Sequence, residues 1–219
     1  MTIDRRSALR LIGAVPVALG FTFETEAFAA AAAHAAKMVK TAAKGQYVPK
    51  FFKPEEWQQV RILVDLILPR DERSGSATDA GVPEFMDYLM NDPTDTDLQR
   101  ERRQTAMRGG LAWINGVCVD RFGHAFVEAT DGERTALLDE IASIKDDDEE
   151  AEMREPRDLR VSIKHGPSFF ASFRDLTASG FWSSKMGMAD LGYVGNTFVM
   201  EWKGAPPEVL ARLGLPPEK

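Results

Sequence analysis

The stretch PEEWQQVRILVDLIL, residues 54–68, decides the fold class. Trp57, Val60, Leu63, Val64 and Ile67 recur at the spacing of one apolar helix face. Pro54 suits a first helical turn, and Glu55 and Glu56 favour the positive end of the helix dipole. Pro69 ends the run.

Working outward, the same signals repeat. Arg70 to Gly81 is a loop rich in Asp, Ser and Gly, and Val82-Pro83-Glu84-Phe85 opens a short helix to about Met90. Asp97 to about Arg121 reads as a longer helix with an apolar block of Leu111, Trp113, Ile114, Val117 and Cys118. Thr130-Asp131-Gly132-Glu133 is a capping box ahead of Leu137, Leu138, Ile141 and Ile144. Asp146 to Glu150 is an acidic run, read as a solvated loop. Phe169, Phe170, Phe173 and Leu176 make one face of a further helix, with Gly180 as its stop. No run of alternating strand residues appears, so the expected fold is all-α: one irregular helical domain with a Gly-, Pro- and aromatic-rich tail.

Length and composition fit that reading. The 219 residues suffice for one domain, and 44% hydrophobic with 28% charged residues is an ordinary globular balance. A net charge of -7 disfavours nucleic-acid binding, which needs clustered Lys and Arg. The single cysteine, Cys118, excludes an internal disulfide, a CxxC metal site and a CxxCH haem attachment. Its place in an apolar block predicts a buried thiol, with a bridge to another chain as the minor alternative.

The N-terminus reads as an export leader over residues 1–29. Arg5-Arg6, then Leu9 and Arg10, precede an apolar run from Leu11 to Phe23. Ala27-Phe28-Ala29 fits the small-x-small cleavage rule, with cutting expected after Ala29. The paired arginines resemble the twin-arginine signal, although Asp4 and Ala8 stand where Ser or Thr and Phe are usual. That pathway moves folded proteins, so the expected location is the periplasm. Residues 30–50 read as an Ala- and Lys-rich linker, helical in part and tether-like, before a domain at 51–207 and a tail at 208–219.

Catalytic signatures are absent from the sequence: there is no GxGxxG, Walker loop or GxSxG. His34, His124 and His165 show no metal-ligand spacing. Asp65, Asp71 and Asp87 are conceivable general bases, but such residues are more often caps or turn formers. No catalytic, cofactor-binding or metal-binding residue is assigned to the chain. Phe181, Trp182, Tyr193, Phe198 and Trp202 crowd a Gly-rich segment, which makes them candidate anchors for a partner.

Several segments together resemble the gluconate 2-dehydrogenase subunit 3 family, the small or gamma subunits of flavoprotein dehydrogenase complexes. They are Phe52 to Trp57 running on to Leu66–Asp71, Ala80 to Asp87, Phe169-Phe170, Leu176-Thr177, Gly180 to Ser184, Gly187, Leu191 to Asn196, and Trp202 to Pro206. The resemblance implies a non-catalytic subunit beside a catalytic flavoprotein of the glucose-methanol-choline type, which carries FAD and lacks a leader. It also implies a multihaem c-type cytochrome as electron acceptor, and an escort role for this chain in folding and export. The competing expectations are a free-standing periplasmic binding protein and an independent enzyme using surface carboxylates.

Overall fold

The computed structural model describes residues 25–42, 47–143, 166–193 and 207–214. Among them are eight helices and no strand: α1 (Thr25–Ala42), α2 (Pro54–Ile67), α3 (Val82–Met90), α4 (Asp97–Phe122), α5 (Asp131–Ser143), α6 (Gly166–Trp182), α7 (Lys185–Leu191) and α8 (Pro207–Leu213). The all-α expectation holds for these residues.

The helix starts follow from local chemistry. Lys53 N–H donates to Glu56 Oε2 at 2.9 Å at the head of α2. Thr96 caps α4, accepting from Gln99 N–H while its own N–H donates to Gln99 Oε1 at 3.0 Å. Thr130 and Glu133 bond reciprocally before α5, as the capping-box reading expects. Each exchange satisfies amide groups that a helix end leaves without partners.

One apolar core joins α1 to α7, and α3 and α6 run through it. Leu63 and Val64 of α2, Phe85, Met86 and Leu89 of α3, Ile114 and Val117 of α4, Ile141 of α5 and Phe173 of α6 are buried within it. Cys118 is buried there as well, and burial pushes its thiol up to about 11. A thiolate is therefore scarce near neutral pH, as a core role requires.

The end of the stretch read as a leader and the first part of the stretch read as a linker, where a partly helical tether was expected, form one helix packed on the core. Residues 25–42 form α1, and Ala27, Ala31 and Ala35 pack into the core against α3. Phe28 lies 5.8 Å from the Phe85 ring, and His34 lies 4.8 Å from the Tyr88 ring. Partial burial, then the nearby Lys50 ammonium, hold His34 below the usual imidazole range. Ala-rich sequence carries no large apolar stripe, so the pattern alone suggested a tether. What seats the helix is its close fit to Gly81. That residue has a φ of 83°, and a Cβ built on it would lie 2.6 Å from Val39 and 3.5 Å from Ala35. A side chain at 81 would be strained and would push α1 away.

The clamp that fixes the fold is Asp87 on α3, which is fully buried. Its Oδ1 accepts from Phe51 N–H at 2.8 Å and Phe52 N–H at 3.3 Å. Its Oδ2 accepts from Tyr47 O–H at 2.8 Å and Lys50 N–H at 2.9 Å. One carboxylate thus orders residues 47–52 and drives Phe51 and Phe52 into the core. Burial, then the hydrogen bond to Asp87, raise the Tyr47 hydroxyl well above its ordinary range.

Candidate partner interface

Of the residues predicted to anchor a partner, Phe181 and Trp182 lie at the C-terminal end of α6 and Tyr193 just after α7. The structure separates them. Phe181 is fully buried and belongs to the core, so it is not a surface anchor. The sequence placed the helix stop at Gly180, but α6 continues to Trp182. Gly180 instead faces Phe85, whose ring would lie 2.8 Å from an added Cβ. Carrying the helix past Gly180 turns Phe181 inward.

Trp182 is half-buried, with its ring edge-on to Phe181 at 5.6 Å. Its indole N–H is buried and has no acceptor among the described residues. Leaving such a donor unmet costs about 1–3 kcal/mol. Tyr193 is 60% exposed and Leu191 is 50% exposed. Phe198 and Trp202 lie outside the described residues.

The exposed pair is held on a firm base. Ser184 Oγ accepts from Gly187 N–H at 3.0 Å and donates to Phe181 O at 2.6 Å, which starts α7. Gly187 sits directly on the end of α6: a Cβ there would lie 2.1 Å from Phe181 O, so no larger residue fits. Gly192, with a φ of 67°, ends α7, and Tyr193 N–H donates back to Met188 O at 3.0 Å. Arg73, in the loop before α3, pairs with the Asp190 carboxylate and also donates to its backbone carbonyl. The loop and α7 are thereby joined beneath Leu191 and Tyr193. Sequence reading passed over Leu191 as an anchor, although an apolar residue beside a Gly helix cap was the available signal.

The three suspect carboxylates are all engaged with backbone. Asp65 Oδ1 accepts from Thr78 N–H at 2.7 Å. Asp71 Oδ1 accepts from Arg73 N–H at 2.8 Å and Ser74 N–H at 2.9 Å. Asp87 is the buried clamp already described. Glu84, close to Asp87, is different: burial raises its carboxyl above the usual range. His124 lies 3.6 Å from Glu133, and His165 falls outside the described residues. Among the described residues no group of three or more His, Cys, Asp or Glu could hold a metal ion, and no helix is long and apolar enough to cross a membrane.

The family model for gluconate 2-dehydrogenase subunit 3 matches residues 54–202, and the chain belongs to that family. The match covers α2 to α7 and leaves α1 outside. No curated protein and no solved structure matches the chain.

The two kinds of aromatic residue should respond differently to truncation. Phe181→Ala is expected to cost about 3–5 kcal/mol of folding stability, because it opens a large core cavity. Tyr193→Ala is expected to stay within about 0.5 kcal/mol of the parent, as surface changes usually do. Urea titration of both variants checks this, and a Tyr193→Ala loss as large as that of Phe181→Ala would move Tyr193 into the core.

Proposed function

We propose that this chain is the non-catalytic small subunit of a periplasmic flavin-dependent dehydrogenase acting on a sugar or sugar acid. It binds the catalytic flavoprotein, supports its folding and carries it through the twin-arginine pathway. The observation that carries this reading is membership of a dehydrogenase-subunit family over residues 54–202. The Arg5-Arg6 leader agrees with it, since a pathway for folded proteins can move a partner along with the chain that bears the signal. FAD belongs on the catalytic partner in this reading, and c-type haem on a cytochrome subunit. Electrons removed from the substrate need a cofactor to receive them, and the partner supplies it.

Leu191 and Tyr193 form the proposed contact. Exposed aromatic side chains on a rigid base make good anchors, because little side-chain freedom is lost when they are covered. Tyr193→Ala is therefore expected to reduce co-purification of the flavoprotein at unchanged stability of the small subunit. Undiminished recovery from the Tyr193→Ala and Leu191→Ala chains would place the contact elsewhere.

A further inference from the structure

We propose that the lysine-rich face formed by Lys37 of α1 and residues 47–53 is a docking surface for anionic lipid headgroups, so that this chain lays one side against a membrane. The inference goes beyond the proposed function and rests on it only for which membrane the chain meets.

The charge pattern comes first. No Asp or Glu occurs between Glu26 and Glu55, and that stretch carries Lys37, Lys40, Lys44, Lys50 and Lys53. The chain as a whole has a net charge of -7, so this is a local reversal of sign. Half of the ten lysines fall here, and none of the seventeen arginines.

The fold gathers the two ends of the stretch. The His34 ring of α1 lies 4.8 Å from Tyr88 and 6.4 Å from Tyr47. Burial first, then the Lys50 and Lys37 ammonium groups, hold His34 below the usual imidazole range against the opposing pull of Asp87. Both lysines therefore act on one ring. Lys37, Lys50 and Lys53 are exposed, and Val48 between them in sequence is 78% exposed. The carboxylates nearby are engaged elsewhere. Asp87 is buried and meets four donors. Glu56 accepts from Lys53 N–H and faces Arg108 at 3.5 Å. Burial raises the Glu84 carboxyl above its usual range. Glu55, at the edge, is exposed.

The choice of lysine selects the occupant. Protein interfaces favour arginine, whose fixed fork suits a fixed acceptor, and are depleted in lysine. A fluid array of headgroups has no fixed geometry, and compact charges on flexible stems suit it. An exposed valine among the lysines adds the shallow apolar contact of an interfacial segment. The Asp87 hydrogen bonds hold Tyr47, Lys50 and Phe51 to α3, so the face is presented on a firm base.

The test measures binding of the purified full chain to vesicles of phosphatidylcholine alone and of phosphatidylcholine with phosphatidylglycerol. Each lysine at an anionic surface contributes about fivefold to binding. Changing Lys37, Lys50 and Lys53 together to glutamine is expected to weaken binding to the anionic vesicles on the order of a hundredfold, and to leave binding to the neutral ones within about twofold. The backbone bonds of Lys50 to Asp87 and of Lys53 to Glu56 survive these changes. The apolar run from Leu11 to Phe23 is common to parent and variant and cancels from the comparison. Salt near 1 M, where the screening length falls to about 3 Å, should erase the difference. Should the triple variant fail to fold, Lys50→Gln with Lys53→Gln decides, at an expected loss on the order of thirtyfold. Equal binding of parent and variant to the anionic vesicles would overturn the proposal. So would a variant that keeps its vesicle binding but loses its flavoprotein, because the face would then be a protein contact. Vesicle binding is read on the purified chain, so its failure and a failure of export are separate results.

Discussion

Replacing Arg5 and Arg6 together with lysine is expected to leave both this chain and its flavoprotein in the cytoplasm. Lysine keeps the charge but not the planar guanidinium, whose fixed fork of donors gives arginine its geometric specificity. The apolar run from Leu11 to Phe23 includes Gly13, Pro16 and Gly20, so it is a weak signal by hydrophobicity alone. In the proposed function the arginine pair carries the routing. Because the flavoprotein is proposed to travel on this chain, its periplasmic activity should fall with the same substitution. Fractionation followed by dye-linked activity measures both. Periplasmic activity equal to the parent's would remove the escort role.

Asp87→Ala is expected to be the most damaging single change to the fold, at about 3–5 kcal/mol. The carboxylate is fully buried and meets four donors, three backbone amides and the Tyr47 hydroxyl. Removing it strands those donors, and they can recover water only if residues 47–52 leave the surface of α3. Phe51 and Phe52 would then leave the core with them. The loss is a large part of the about 5–15 kcal/mol that holds a domain together. Asp87→Asn keeps one acceptor oxygen and should cost less. Urea unfolding of the two variants reads the difference directly, and a loss below about 1 kcal/mol for Asp87→Ala would show that the clamp is not needed.

Much of the helical framework was legible because it rests on local signals. The face of α2, the Pro83 start of α3, and the Thr130–Glu133 exchange before α5 each involve residues within a turn or two of one another. The positions that were not legible depend on distant partners. Asp87 looked like any helix carboxylate, since its donors lie 35 to 40 residues earlier in the chain. Gly180 looked like a stop, because nothing nearby announces that Phe85 fills the space a side chain would need. Ala27, Ala31 and Ala35 looked like part of a leader and a tether, because small residues show no apolar stripe until the glycine opposite them is known. The same limit governs the candidate interface. Phe181 and Trp182 are neighbours of similar chemistry, and only the continuation of α6 separates a core ring from a half-exposed one.

The central claim is that this chain serves the amount and location of active flavoprotein and takes no part in the chemical step. Its most direct test is to express the flavoprotein with and without this chain and to count bound flavin per polypeptide. Activity per bound flavin is then measured with a soluble dye as acceptor. The account predicts similar activity per flavin in the two preparations, with a much lower yield of folded flavoprotein when this chain is missing. A collapse of activity per flavin at normal folding and normal flavin content would mean that a residue of this chain reaches the reacting groups, and would contradict the account.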